Sequence, residues 1–253
     1  MHDVKKQIIH PVFNEQLEGV VHGSVSRYGG QSAGPFASNN ISFGVGDDVS
    51  CVTSNREKIK KRFGLDYLVS AHQVHGEKIH QVREPLYDDC IVDDTDALMT
   101  DIVGVGLMIG HADCQAVLLY DANHGAVAAI HNGWRGSVVN IVAATVAAMQ
   151  KAFGTVPEQL IAGIGPSLGP CCGEFIHYKK ELPESFHDFR VGEYHFDFWK
   201  ITRQQLLQCG VPGESISCLE TCTVCSSDFF SYRRACRKKD GITGRNGSVI
   251  ALV

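Results

Sequence analysis

The sequence lacks any apolar run long enough to span a membrane. Its most apolar stretch, 125–149, is interrupted by His131, Asn132, Trp134 and Arg135, where a spanning helix needs about 18 uninterrupted apolar residues. The opening segment MHDVKKQIIHPVFNEQLEG holds no signal-peptide core. Together these absences predict a cytoplasmic protein with no membrane partner. Positive charge is not in excess either. Lys plus Arg number 23 against 28 Asp plus Glu, a net charge of −5, which speaks against a nucleic-acid binder driven by phosphate neutralisation. Cysteine is too sparse for a disulfide scaffold: there are 10 in 253 residues, about 4% against the roughly 8–10% of such scaffolds. In a reducing compartment those thiols serve as ligands or nucleophiles rather than bridges. Repeats, low-complexity tracts and long polar linkers are absent as well. A chain of this length buries a full core without staples, and the reading is one domain, 1–253.

What is present alternates short apolar runs with turn residues. Strand-like runs lie at 20–25, 67–70, 104–109, 116–120, 126–130, 160–165, 216–219 and 248–252. Asp47 to Phe63 reads as a helix whose acidic start and late Lys58, Lys60, Lys61 and Arg62 suit the helix dipole. Ser137 to Phe153 reads as one long apolar helix with Ser137 as its N-cap. Asp197 to Cys209 reads as a third, closed by Gly210. This mixed order, with several hairpins, predicts an α+β sandwich with mixed sheets rather than a doubly wound parallel sheet.

Three segments place His or Cys at expected strand ends: His72-Gln73-Val74-His75-Gly76, His111-Ala112-Asp113-Cys114, and His131-Asn132-Gly133-Trp134-Arg135-Gly136. Cys114 and His131 flank an expected hairpin, so strands of similar length bring them to one end of a sheet. Two imidazoles and a thiolate fill three corners of a tetrahedral Zn2+ and leave one open, the pattern of catalytic rather than structural zinc. Spacing alone leaves open whether these residues are ligands or hydrogen-bonded core side chains. Arg135, in a Gly-flanked loop just before an expected helix N-terminus, reads as an anion site or as a solvated turn arginine. Cys222-Thr223-Val224-Cys225 has CxxC spacing, with Cys218 and Cys236 near by, but lacks the second half of a paired zinc motif. Cys171-Cys172 reads as a turn feature, its adjacent thiols poorly placed to share one metal. The deaminase signature H-x-E…P-C-x-x-C is missing.

Taken in order, Gln73-Val74-His75-Gly76, Asp96-Ala97-Leu98-Met99-Thr100, Ala112-Asp113-Cys114, His131 to Gly136, Ile164-Gly165-Pro166-Ser167 with Pro170-Cys171-Cys172, and Phe229-Phe230-Ser231-Tyr232-Arg233-Arg234 resemble the YfiH-like family. That family has long carried the label "multicopper polyphenol oxidoreductase (laccase)". The likeness extends to Ser26-Arg27-Tyr28-Gly29-Gly30, Val45-Gly46-Asp47-Asp48 and Thr243-Gly244-Arg245, and so covers nearly the whole chain. It implies a single-domain α/β/β/α sandwich resembling the catalytic domain of cytotoxic necrotizing factor. It implies zinc on His75, Cys114 and His131, and phosphorolysis of adenosine, inosine or methylthioadenosine, with adenosine deamination beside it. The implied partners are a purine nucleoside and phosphate, the latter at Arg135 with Arg27 or Arg233. Asn40 and Tyr232 belong to the implied substrate-binding set, and Asp96 and Glu174 to the motifs without an assigned role. The family usually has Ala at Asn132 and often a small residue at His111, so His72 and His111 become candidates for supporting the ligands.

Two other chemistries compete. A cysteine hydrolase, for instance one editing peptidoglycan precursors, would use Cys114 as nucleophile and His131 as base. Copper oxidation of phenols needs many His ligands, and none of the 12 His forms an H-x-H pair, so copper ranks below zinc.

Overall fold

The computed structural model describes residues 9–13, 17–84, 87–238 and 240–253. Two six-stranded mixed sheets form its centre. The strands are β1 (Ile9–His10), β2 (Val20–Val25), β3 (Tyr67–Ala71), β4 (Ile79–Gln81), β5 (Cys90–Val92), β6 (Ala97–Thr100), β7 (Val105–His111), β8 (Gln115–Asp121), β9 (Ala126–Asn132), β10 (Ile161–Ile164), β11 (Ile216–Cys218) and β12 (Asn246–Leu252). One sheet runs β1-β2-β12-β7-β3-β5, the other β11-β10-β8-β9-β6-β4. The helices are α1 (Val49–Phe63), α2 (Trp134–Val139), α3 (Ile141–Phe153), α4 (Tyr178–Glu181), α5 (Phe198–Gln208) and α6 (Tyr232–Lys238).

Strand alternation sorts the core into layers. On β7, Leu107 and Ile109 point between the sheets and meet Leu118, Val127 and Ala129 of the other sheet. Met108, one residue out of phase, points the opposite way and packs with Ile59 and Phe63 of α1. On the far side, Val117, Leu119 and Ile130 turn outward against Val142, Val146 and Met149 of α3 and Leu206 of α5. The order is therefore helix, sheet, sheet, helix. Strands buried on both faces read as continuous apolar runs, as β8 and β9 do.

Helix ends follow local chemistry. The Asp48 side chain accepts from Ser50 N and Cys51 N to start α1, and Gly64 at φ 70° ends it. Asp197 caps α5 by accepting from Lys200 N. The single helix expected from Ser137 is two. Gly133 precedes α2, and Asn140 at φ 56° breaks the run, its side chain accepting from Ala143 N to start α3. An apolar pattern continuous across Val138-Val139-Asn140-Ile141 hides that break, because Asn tolerates the left-handed conformation. Arg135 thus lies in the first turn of α2, not ahead of it.

Two connections matter for function because they cross from one sheet to the other: β3 to β4, carrying His75, and β7 to β8, carrying Asp113 and Cys114. No helix of the described residues is long and apolar enough to cross a membrane.

Candidate metal centre and its cavities

The β8–β9 register pairs Gln115 with Asn132 and Ala116 with His131. Cys114, one residue before β8, therefore sits beside the end of β9, as the expected hairpin required. The β3–β4 connection brings in His75. One donor atom each of His75, Cys114 and His131 falls within a common 4.8 Å. Cys114 Sγ and His75 Nε2 are 3.7 Å apart, and the two imidazoles meet edge to face with centroids 4.8 Å apart. Bonds of about 2.3 Å to sulfur and 2.0–2.1 Å to nitrogen place tetrahedral neighbours roughly 3.6 Å apart, so this donor set fits one zinc-sized ion. Gly133 keeps the space open: a Cβ there would lie 3.0 Å from both Cys114 Sγ and His75 Cδ2.

Asp96 organises the centre. It is fully buried and its carboxylate accepts from four donors: Val74 N (3.1 Å), His75 N (3.0 Å), Gly76 N (2.8 Å) and His131 Nδ1–H (2.8 Å). Fixing the proton on Nδ1 leaves the Nε2 lone pair of His131 free for a metal, the carboxylate–histidine support common to zinc ligands. The same carboxylate gathers the turn that carries His75, whose φ of 62° lets three successive N–H groups converge. Asp113 is also left-handed, at φ 92°. Its carboxylate holds it there, accepting from Thr223 Oγ1 (2.7 Å) and Arg233 N (2.6 Å). Two non-glycine residues in this region beside one site mark stored backbone strain, which concentrates at functional sites.

Electrostatics couple the donors. Burial opposes the Cys114 thiolate, but the His131 charge and hydrogen bonds from His131 and His75 outweigh it and bring the thiol down to about 6. Burial likewise opposes the His131 cation, yet Cys114 and Asp96 raise that imidazole to about 9. Without a metal the pair is thiolate and imidazolium.

Two cavities open on the centre. One, of about 430 Å³, reaches His75, Cys114 and Gly133 and is walled by Trp134, Phe175, Phe198 and Tyr232, with Glu174 and Arg233 at its polar end. The other, of about 560 Å³, touches all three donors and is lined by Arg56, Arg245, Gln73, Ser42 and Tyr232. Among the described residues, Arg56, Arg233 and Arg245 form no ion pair with a carboxylate. Arg56 instead donates to Ser70 Oγ (2.7 Å), Arg233 to Glu174 O (3.0 Å), and Arg245 to Thr243 O (3.1 Å).

The remaining expected site residues are placed as follows. Arg135 is exposed, stacks on Trp134 at 5.0 Å and lines neither cavity. Arg27 donates to Ala37 O (2.9 and 2.6 Å), stacks on Phe230 at 4.5 Å and lies against a separate small cavity. Asn40 is buried, and its Oδ1 accepts from Arg245 N (2.8 Å), so it positions Arg245. His72 pairs with Asp93 at 2.6 Å near the surface. His111 is buried and hydrogen-bonded to Ser248 Oγ (2.8 Å), and burial, then His131 and Arg245, push it down to about 3. Neither His72 nor His111 bonds to a donor; Asp96 does. Asn132 joins a buried network, donating to Gln115 Oε1 (3.1 Å) and Thr202 Oγ1 (3.0 Å). Arg245 was present only as the end of the Thr243-Gly244-Arg245 motif. Its place beside the donors, without a carboxylate ion pair, appears only once the chain is folded.

The sequence and the two-sheet sandwich match a class of known proteins. Residues 21–253 match the family model described as multi-copper polyphenol oxidoreductase laccase. Over 245 residues the chain is 34% identical to purine nucleoside phosphorylase YlmD of Geobacillus stearothermophilus, covering 90% of this chain and 88% of that one. A purine nucleoside phosphorylase of Bacteroides thetaiotaomicron is 34% identical, covering 85% and 86%. The crystal structure of Bacillus licheniformis YfiH superposes with a TM-score of 0.85 at 30% identity, covering 95% of this chain and 96% of that one. That of YlmD gives 0.82 at 30%, covering 96% and 99%. The chain belongs to this YfiH/laccase-like family.

Proposed function

We propose that the chain is a zinc-dependent purine nucleoside phosphorylase that takes adenosine, inosine or methylthioadenosine, with adenosine deamination as a second activity. The observation that carries this reading is a three-donor centre, open on one side, between an aromatic cavity and a cavity holding arginines without carboxylate partners. His75, Cys114 and His131 would hold the ion, which when bound supplies Lewis-acid charge at the junction of the two cavities.

The chain's own residues divide the remaining work. Trp134, Phe175 and Phe198 offer flat apolar faces for the purine. Arg245 and Arg56 supply the cationic field for phosphate, with guanidinium geometry matched to its oxygens. In phosphorolysis a phosphate oxygen forms a bond to the anomeric carbon as the bond to the purine nitrogen breaks. The purine leaves with the bonding electron pair while the sugar passes through a cation-like state. Asp96 keeps His131 in one tautomer throughout, and the apolar walls exclude water that would compete with phosphate.

The relatives' names support this reading; the family description favours copper, and a His2Cys set serves either zinc or blue copper, but none of the 12 His forms the H-x-H pair expected of a trinuclear copper cluster. The test is phosphate-dependent release of hypoxanthine from inosine by metal-replete protein. Release that requires phosphate is expected; none, with or without Zn2+, overturns the reading.

One observation favours a second reading. Cys114 lies beside His131, which draws its thiol down, an arrangement that suits a cysteine hydrolase acting on an amide such as one in a peptidoglycan precursor. An alkylating reagent separates the two: a free nucleophile labels at once, whereas a metal-held Cys114 labels only after chelation.

A further inference from the structure

Cys171 and Cys172 lie about fifty residues before Cys222 and Cys225, yet the fold brings all four together. Loop 165–173 runs beside loop 221–226 through a parallel bridge between Ser167 and Cys222. Ser167 N donates to Thr221 O (3.1 Å), and Thr223 N donates to Ser167 O (2.9 Å). The expectation that adjacent cysteines cannot serve one ion fails because residues 170–172 form a turn. That turn brings the Cys171 and Cys172 sulfurs each to 3.7 Å from the Cys225 sulfur. The missing second half of the CxxC motif is this vicinal pair. Cys218 and Cys236 take no part.

We propose that Cys171, Cys172, Cys222 and Cys225 form a second, closed metal centre holding one Zn2+ on four thiolates. All four sulfurs lie within 4.8 Å of one another. Zinc–sulfur bonds of about 2.3 Å set a tetrahedral edge of roughly 3.8 Å, close to the two 3.7 Å separations. A disulfide needs about 2.05 Å, and none of the ten cysteines is bridged. Four soft donors in tetrahedral array select zinc over hard or square-planar ions.

The surroundings are those of a thiolate knuckle. Backbone N–H groups of Gly169, Cys225 and Val224 point at the Cys222 sulfur. Arg234 braces the loop, donating to Thr223 O (2.5 Å), Val224 O (3.1 Å) and Ser226 O (2.8 Å). Neither cavity of the first centre reaches any of the four thiols. The ion would tie together the two loops that flank the aromatic cavity, one leading to Glu174 and Phe175, the other to Tyr232 and Arg233.

Metal content of the full chain, purified with Zn2+ and dialysed, tests this independently of turnover. Two equivalents are expected in the wild type and one in Cys114→Ser. X-ray absorption of Cys114→Ser is expected to show a sulfur-only shell at about 2.3 Å. The exposed thiols Cys171 and Cys225 are replaced by Ser separately, and each variant is expected to hold one equivalent. Should neither variant fold, a mercurial titration of the wild type is expected to free the second equivalent as four thiols react. No zinc in Cys114→Ser, nitrogen in its zinc shell, or intact-mass data showing a bridged Cys171, Cys172, Cys222 or Cys225 overturns the proposal. Failure of the first centre reads differently: Cys114→Ser then holds as much zinc as the wild type.

Discussion

The two donor clusters of this chain contrast in almost every respect. His75, Cys114 and His131 mix nitrogen with sulfur, lean on a buried carboxylate, and face two cavities. The four thiols at 171, 172, 222 and 225 are all sulfur and braced by backbone N–H groups, and they face neither cavity. Three donors leave a coordination position for a reactant; four close the shell. His75 and its neighbour Asp113 hold left-handed backbone at the first cluster, and Glu220 does so two residues before Cys222 of the second, which rests on a turn and a bridge. Donor count, carboxylate support and access to a cavity are what the proposals rest on in reading the first as a centre that reacts and the second as one that holds loops.

Variants break or sharpen that contrast. Removing a donor from the open centre has the largest effect: Cys114→Ser is expected to lower phosphorolysis by at least about a thousandfold while circular dichroism stays unchanged. Asp96→Asn comes next. It removes the carboxylate charge and turns one of the two oxygens that together accept from His131 and residues 74–76 into a donor, and weakening such a partner costs about 10- to 100-fold in metal affinity, measurable by chelator competition. Arg245→Gln is expected to raise the KM for phosphate about tenfold, the loss of one charge-assisted contact of roughly 1.5 kcal/mol, with little change in the KM for inosine. Arg135→Ala closes the series: the exposed guanidinium reaches neither cavity, and kcat/KM is expected to stay within about twofold, as a surface change does. A loss at Arg135 matching that at Arg245 would move the anion site to helix α2.

The pH behaviour follows from the coupled pair. In chelator-treated protein, Cys114 is depressed to about 6, so its thiolate persists from alkaline pH down to that value and is lost below it. Alkylation of the peptide containing Cys114, followed by mass spectrometry, is expected to show a midpoint near 6 rather than in the ordinary thiol range. In the metal-loaded protein the labelling is expected to be suppressed across the same window.

Local pattern made much of this legible in the sequence. The alternation and apolar runs of β7, β8 and β9 predicted strands whose hairpin brought Cys114 and His131 to one end of a sheet, and α1 and α5 were visible as runs from Asp47 to Phe63 and from Asp197 to Cys209, the latter closed by Gly210. Contacts distant in sequence were not. Asp96 meets His131 across 35 residues, Asn40 positions Arg245 across 205, and Cys172 meets Cys225 across 53. The β7–β8 crossover from one sheet to the other, which carries Asp113 and Cys114 to the mouth, also depends on tertiary topology rather than periodicity. Arg135 shows the converse: its Gly-flanked sequence suggests an anion loop, but the backbone enters a helix one residue earlier and turns the side chain to solvent.

The central claim is that two imidazoles and one thiolate share an ion. A crystal structure of zinc-loaded protein, with anomalous data collected at the zinc edge, tests it most directly. The account predicts a peak about 2.0–2.1 Å from nitrogens of His75 and His131 and about 2.3 Å from Cys114 Sγ, with a fourth position facing the cavities. No peak among these three side chains at full zinc loading, or one coordinated by His131 without Cys114, would contradict it.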